Sequence, residues 1–142
     1  MKEPKWLTKR MVLAIHDEAV DMFGGTAGLR DDGLLESALS RPQNRHAYES
    51  EATLFDLAAS VCHGICKNHP FLDGNKRTAL LSARAFMFLN GQVFEPREVD
   101  EYWNLIAISE STLGGPSSAG WFREGSISFA RHHSRDCEPE RR

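Results

Sequence analysis

Cysteine is scarce: three residues in a chain of 142. An odd and low count does not build a disulfide framework, and it points to a reducing, cytoplasmic setting. Long apolar runs are missing too. Nothing approaches the ~18 residues of a membrane span, and the opening MKEPKWLTKR lacks the apolar core of a signal peptide. Charge of one sign is also lacking. Lys+Arg is 17 and Asp+Glu is 20, a formal net charge of −3. A weakly acidic chain is not an obvious coat for nucleic acid, whose phosphates call for clustered cations, so no direct nucleic-acid partner is expected. Repeats, low-complexity tracts and a GxxxxGK[ST] phosphate loop are absent. What remains is ordinary for a globular domain: 41% hydrophobic and 26% charged residues. One domain over residues 1–133 with a polar, frayed tail at 134–142 suits this length.

Apolar spacing reads as helix after helix. Thr8 is a good N-cap, followed by Met11, Val12, Ile15, Ala19 and Met22 on one side, with Gly24-Gly25 as the stop. Leu34, Leu35, Ala38 and Leu39 predict a short helix that stops before Pro42. Arg41 to Ala52 has no apolar period and reads as a surface loop or small hairpin. Thr53 to Asp56 has the form of a capping box. The buried helix it opens is lined by Leu54, Leu57, Ala58, Val61, Cys62 and Ile65, while Ala58, Ala59 and Gly64 let neighbours approach. It stops near Asn68, because His69 precedes a proline.

A further helix runs from about Asn75 to Leu89, with Thr78, Leu81, Ala85, Phe88 and Leu89 inward and Asn90-Gly91 as its end. Val93-Phe94 forms a short extended piece. Two more helices cover about Arg97 to Ser109 (Val99, Trp103, Ile106 and Ala107 inward) and Ser117 to Arg131, separated by a loop at Leu113 to Pro116. Trp121 and Phe122 read as core. The fold class is all-α, with five or six helices.

The informative stretch is His69 to Thr78, HPFLDGNKRT. It lies between two buried helices and opens the second. Free N–H groups at a helix start attract anions. Gly74 allows close backbone approach, Asn75 offers a side-chain donor, Arg77 can grip a phosphate in two places, and Lys76 adds a mobile charge. Asp73 is a hard oxygen ligand suited to Mg²⁺ shared with substrate phosphates. His69 brings the imidazole most often used as a general base. The competing structural reading is a plain turn, in which Asp, Gly and Asn serve the backbone and the two cations are solvated.

This loop resembles the signature of the Fic/Doc superfamily: His, Pro, Phe, any residue, Asp or Glu, Gly, Asn, Gly or Lys, Arg. GLRDDGLLESALSRPQ and LLSARAFMFLNG resemble its death-on-curing (Doc) branch. The resemblance implies a compact helical domain with a small flap that clamps a target segment by strand addition, placed here at Arg41–Ala52. It implies His69 as the base, Phe71 as the loop's anchor, Asp73 on Mg²⁺, Gly74 and Asn75 shaping an anion hole, and Arg77 on the phosphates of ATP. Lys76 is typical of the Doc branch, which phosphorylates a threonine of elongation factor Tu and stops translation; AMP-transferring members usually have Gly there. Many of those members also carry a second arginine where this chain has Leu80. Pro70 and Gly74 fit the broader Fic pattern, so AMP transfer is the alternative activity. A catalytically silent antitoxin-binding module is the rival of another class. The self-inhibition motif of some Fic proteins is not found: Glu124-Gly125 is the one Glu followed by Gly or Asn, and Gly120 replaces the required hydroxyl. The resemblance then implies an antitoxin in trans.

Other residues carry less. Cys62 and Cys66, with His63 and His69 nearby, form a conceivable zinc set, but small thiols more often pack in helix cores. His16 reads as a surface or satisfied residue, His132, His133 and Cys137 as solvated, and His46 and Tyr48 as flap residues.

Overall fold

The computed structural model describes residues 2–109 and 114–129. Among them are six helices: α1 (Lys9–Phe23), α2 (Asp32–Tyr48), α3 (Leu54–Asn68), α4 (Asn75–Leu89), α5 (Glu98–Ser109) and α6 (Gly115–Glu124). Two short strands, β1 (Gln92–Phe94) and β2 (Ser126–Ser128), pair antiparallel with Val93 opposite Ile127. The all-α expectation holds. None of the helices is long and apolar enough to cross a membrane.

Helix α3 is the axis of the fold and packs against α2, α4, α5 and α6. Leu57, Ala58, Val61, Cys62 and Ile65 are sealed in the core. Its start is closed as the sequence predicts. The Thr53 hydroxyl accepts the Asp56 N–H at 3.2 Å, and the Asp56 carboxylate accepts the Thr53 N–H at 2.8 Å. Gly64 sits against α2, where a Cβ would lie 3.3 Å from the Ala38 carbonyl oxygen. Both thiols, Cys62 and Cys66, are packed in this core. The hydrogen bond that the Cys62 thiol donates to Cys66, and then burial, hold the Cys62 thiol well above its ordinary pKa.

Four expectations need correction. First, α2 does not stop before Pro42, and Arg41–Ala52 is not a hairpin: the helix continues to Tyr48. An internal proline costs roughly 3 kcal/mol, so tertiary contacts must offset it. Pro42 is buried with Leu35, Ala38 and Leu39. Beyond it, Arg45 donates to the Asp56 carbonyl and Ser60 hydroxyl of α3 and pairs with Glu49. The inner face of this half is thus a proline and an arginine, which hides its period. His46 lies edge-on to Trp6 and Tyr48 is exposed, both on the helix rather than on a flap.

Second, α1 faces inward with Val12, His16 and Ala19, while Met11 and Met22 are exposed. His16 turns inward because it finds an aromatic face and a carbonyl partner there. Third, α4 buries Thr78, Ala79, Leu80, Ser82, Ala83, Phe86 and Met87. Leu81, Ala85 and Leu89 flank that stripe and Phe88 is exposed. Fourth, α6 ends at Glu124 and the chain turns into β2. Gly125 makes this possible: a Cβ there would lie 2.6 Å from the Phe94 ring, and its carbonyl accepts the Glu95 N–H at 2.7 Å. Phe122 is core, with Trp121 packed on it. The inward placement expected of the Val99 and Trp103 side chains, and the expectations for Leu113, Arg131, His132, His133, Cys137 and the tail 134–142, lie outside what the structure describes.

Candidate functional site

The loop His69–Gly74 joins α3 to α4 and is built into the molecule rather than laid over it. Phe71 is 1% exposed and stacks on His16, with ring centroids 3.9 Å apart and an interplanar angle of 8°. His16 Nε2 meets the Asp73 carbonyl oxygen at 2.8 Å. That carbonyl only accepts, so the imidazole carries its proton on Nε2. Asn75, also buried, turns its carboxamide onto the loop: Oδ1 accepts the Phe71 N–H at 2.9 Å and Nδ2 donates to the Phe71 carbonyl at 3.0 Å. Its Nδ2 also lies 3.4 Å from His69 Nδ1. The side-chain donor read as free for an oxyanion is therefore engaged with the loop, and Asn75 shapes the site from within.

A second segment wraps the loop's outer side. Between α1 and α2, Gly24, Gly25 and Gly28 all have positive φ. Leu29 bridges Phe71 in antiparallel fashion, and the Gly28 carbonyl accepts the Leu72 N–H at 3.1 Å. Gly25 passes so close to Asp73 that a Cβ would lie 2.8 Å from Oδ2, and the Thr26 N–H donates to that oxygen at 3.1 Å. The other carboxylate oxygen accepts the Gly74 N–H at 2.8 Å. Arg30 donates from Nε to the His69 carbonyl at 2.7 Å and from Nη2 to the Asn68 carbonyl at 2.9 Å.

The loop opens onto a cavity of about 760 Å³, large enough for a nucleotide. His69, Asp73, Gly74, Asn75, Lys76 and Arg77 line one wall, and Glu98 and Glu101 of α5 lie among the other residues around it. The structure thus brings every sequence-predicted site residue together. Gly74, at φ 74°, is the N-cap of α4 and supplies no side-chain cap, so the first N–H groups of the helix keep their anion affinity. The Arg77 guanidinium rests on the Phe23 ring at 4.1 Å. Leu80 is fully buried, so no charge reaches the cavity from that position.

No group of three His, Cys, Asp or Glu side chains among the described residues could hold an ion. A lone exposed carboxylate, each oxygen with one backbone N–H and a lone pair to spare, fits Mg²⁺ held jointly with substrate phosphates, not a metal in a protein cage. Sequence reasoning missed His16, Gly25 and Arg30. The three glycines in five residues, Gly24 to Gly28, are the one local signal of this segment, since so many mark a chain held in conformations other residues avoid.

A helical domain with this loop at its centre matches known proteins. Residues 6–87 match the pattern of the Fic/DOC family, and the chain belongs to that family. Its relatives are of the death-on-curing branch. The chain is 40% identical over 89 residues (62% of this chain, 71% of the relative) to "Protein kinase doc" of Escherichia phage P1. It is 41% identical over 96 residues (64% of this chain, 74% of the relative) to "Toxin Doc" of Mycolicibacterium smegmatis.

Proposed function

We propose that the protein is the toxin of a toxin–antitoxin pair and that it transfers the terminal phosphoryl group of ATP to a Ser or Thr hydroxyl of a host protein in the cytoplasm. Elongation factor Tu is the proposed target, translation arrest the consequence, and an antitoxin acting in trans the regulator. The observation that carries this reading is the convergence of His69, Asp73, Gly74, Lys76 and Arg77 on one nucleotide-sized cavity. The names of the two Doc relatives support it.

In this reading His69 takes the proton of the target hydroxyl as its oxygen bonds to the γ phosphorus. The bond from that phosphorus to the β–γ bridging oxygen breaks, and ADP leaves. The uncapped start of α4 and Arg77 bind the phosphate oxygens. Asp73 would hold Mg²⁺, which supplies charge neutralisation at the phosphates. Lys76, exposed at the cavity, adds a cation, while buried Leu80 adds none. This pairing favours phosphoryl over AMP transfer.

Purified protein incubated with lysate and ATP labelled separately at the α and γ phosphorus tests the reading. Label is expected from γ only, and His69→Ala should lower the rate ~10²–10⁴-fold. Label from α only would replace this reading with AMP transfer. No label from either position would leave a binding module.

A further inference from the structure

His69 is the only non-glycine residue among those described with positive φ, at φ 48° and ψ 55°. The left-handed region is unfavourable for a side chain with a Cβ and persists only where surrounding contacts enforce it. The following proline discourages the right-handed region but does not choose the left-handed one. Something else must set the two peptide planes that flank the His69 Cα.

That contact is Arg30. The carbonyl of Asn68 belongs to the plane before the His69 Cα, and the carbonyl of His69 to the plane after it. One guanidinium donates to both, at 2.9 and 2.7 Å. Its planar fork therefore fixes the angle between the planes, which is the φ,ψ pair of His69. The same residue continues the grip through its main chain. The N–H groups of Arg30 and Asp31 donate to the Pro70 carbonyl at 2.7 and 3.0 Å. Three successive carbonyls, that of Asn68 at the end of α3 and those of His69 and Pro70 just beyond it, are thus satisfied from this short stretch. None of these bonds reaches the phosphate-binding side, where Gly74, Lys76 and Arg77 lie.

We infer that Arg30 is a positioning residue for the proposed base: its side chain holds His69 in the left-handed conformation that presents the imidazole to the cavity, and it serves turnover rather than nucleotide binding. The inference rests on the reading of His69 as the base, and the two are separable by experiment.

Two measurements decide it. The first is the φ of His69 by NMR, from its three-bond HN–Hα coupling read together with the intraresidue HN–Hα NOE, which is strong at positive φ and weak at negative φ. It should keep its left-handed value in the unaltered protein and depart from it in Arg30→Ala. An unchanged coupling and NOE in Arg30→Ala overturn the inference, whatever the activity. The second is the initial rate of γ-label transfer from ATP to lysate protein as a function of ATP concentration. Arg30→Ala should lower the maximal rate on the order of 10–100-fold, as for a misplaced reacting group, with the apparent KM for ATP within about twofold. Arg30→Lys, which lacks the fork, should fall between. Because Arg30 is exposed, low-millimolar guanidinium chloride should restore part of the rate to Arg30→Ala and none to His69→Ala. A full rate in Arg30→Ala, or a raised KM with an unchanged maximal rate, overturns the inference. Absence of transfer by the unaltered protein defeats the functional reading instead, and the coupling still decides the role of Arg30.

Discussion

The two ends of helix α3 are closed by different means. At its start, Thr53 and Asp56 satisfy one another within a single turn. At its finish, the chain cannot close itself: His69 adopts a left-handed conformation, and its flanking carbonyls are bonded from Arg30, 39 positions away for the shorter bond. The loop beyond is pinned by His16, 57 positions from Asp73. The first end is a local solution that serves stability. The second depends on segments that must already be in place, and it carries the candidate chemistry. A helix terminus held by distant groups has its geometry set by the fold as a whole, which is the supporting framework a reacting group needs.

The largest test of this contrast is Phe71→Ala. Phe71 is 1% exposed and lies flat on His16. Its truncation should cost ~3–5 kcal/mol in chemical denaturation, as for other buried aromatics. It should also unseat the Asn75 carboxamide, which bonds the Phe71 main chain on both sides. A loss below about 1 kcal/mol would mean that the loop is a surface turn after all, and that the contrast between the ends is one of appearance.

Thr53→Ala probes the other end and should do much less. An N-cap side chain is worth ~1 kcal/mol, which in a domain of this size lowers the melting temperature by about 3 °C. Label transfer from ATP at a temperature well below the transition should be unaffected. If the rate fell with the cap, the two ends would be coupled along α3, and the division between a structural and a functional terminus would fail.

The same contrast explains what could be read from the sequence. The bounds of α3 and α4 follow from local chemistry: Thr53 and Asp56 at one cap, Pro70 after His69, and Asn90-Gly91 at the close. The loop residues lining the cavity were legible because HPFLDGNKRT is contiguous, so topology was not needed to bring them together, whereas Glu98 and Glu101 reach it only through the packing of α5. The second half of α2 was hidden because its stability is non-local. Pro42 argues against a helix, and the bonds from Arg45 to Asp56 and Ser60 that sustain it belong to another element. His16 was hidden because one histidine on an amphipathic helix shows no sign of the ring and carbonyl that await it. Strand β2 was hidden because its partner, β1, precedes it by more than thirty residues.

The smallest expected effect lies between the ends of α3, at His63. Its Nε2 meets the Ser118 hydroxyl at 2.8 Å, and that hydroxyl meets the Gly114 carbonyl at 2.9 Å. The serine has one proton, which the carbonyl requires, so the imidazole must be the donor to the serine and carries its hydrogen on Nε2. Burial, and then the charges of Lys67 and Arg41, hold the His63 pKa below its ordinary value. The folded state therefore prefers the neutral ring. The unfolded chain binds more protons in the interval between the two pKa values, so stability rises with pH across that interval. On acidification the loss begins near the ordinary histidine value of ~6.5. It is complete once pH has passed below the folded value, and above neutrality the group contributes no slope. His63→Gln keeps a donor for Ser118 but cannot titrate. The melting temperature of the unaltered protein, compared with that of His63→Gln at each pH, should therefore lose ground as pH falls from about 7.5 to about 5.5. The remaining histidines are common to both proteins and cancel in the difference. A gap that does not move with pH would show that His63 is not held neutral by its burial between α3 and α6. A gap that moves while label transfer, measured at neutral pH, is equal in the two proteins would separate this contact from the His69 end of the same helix.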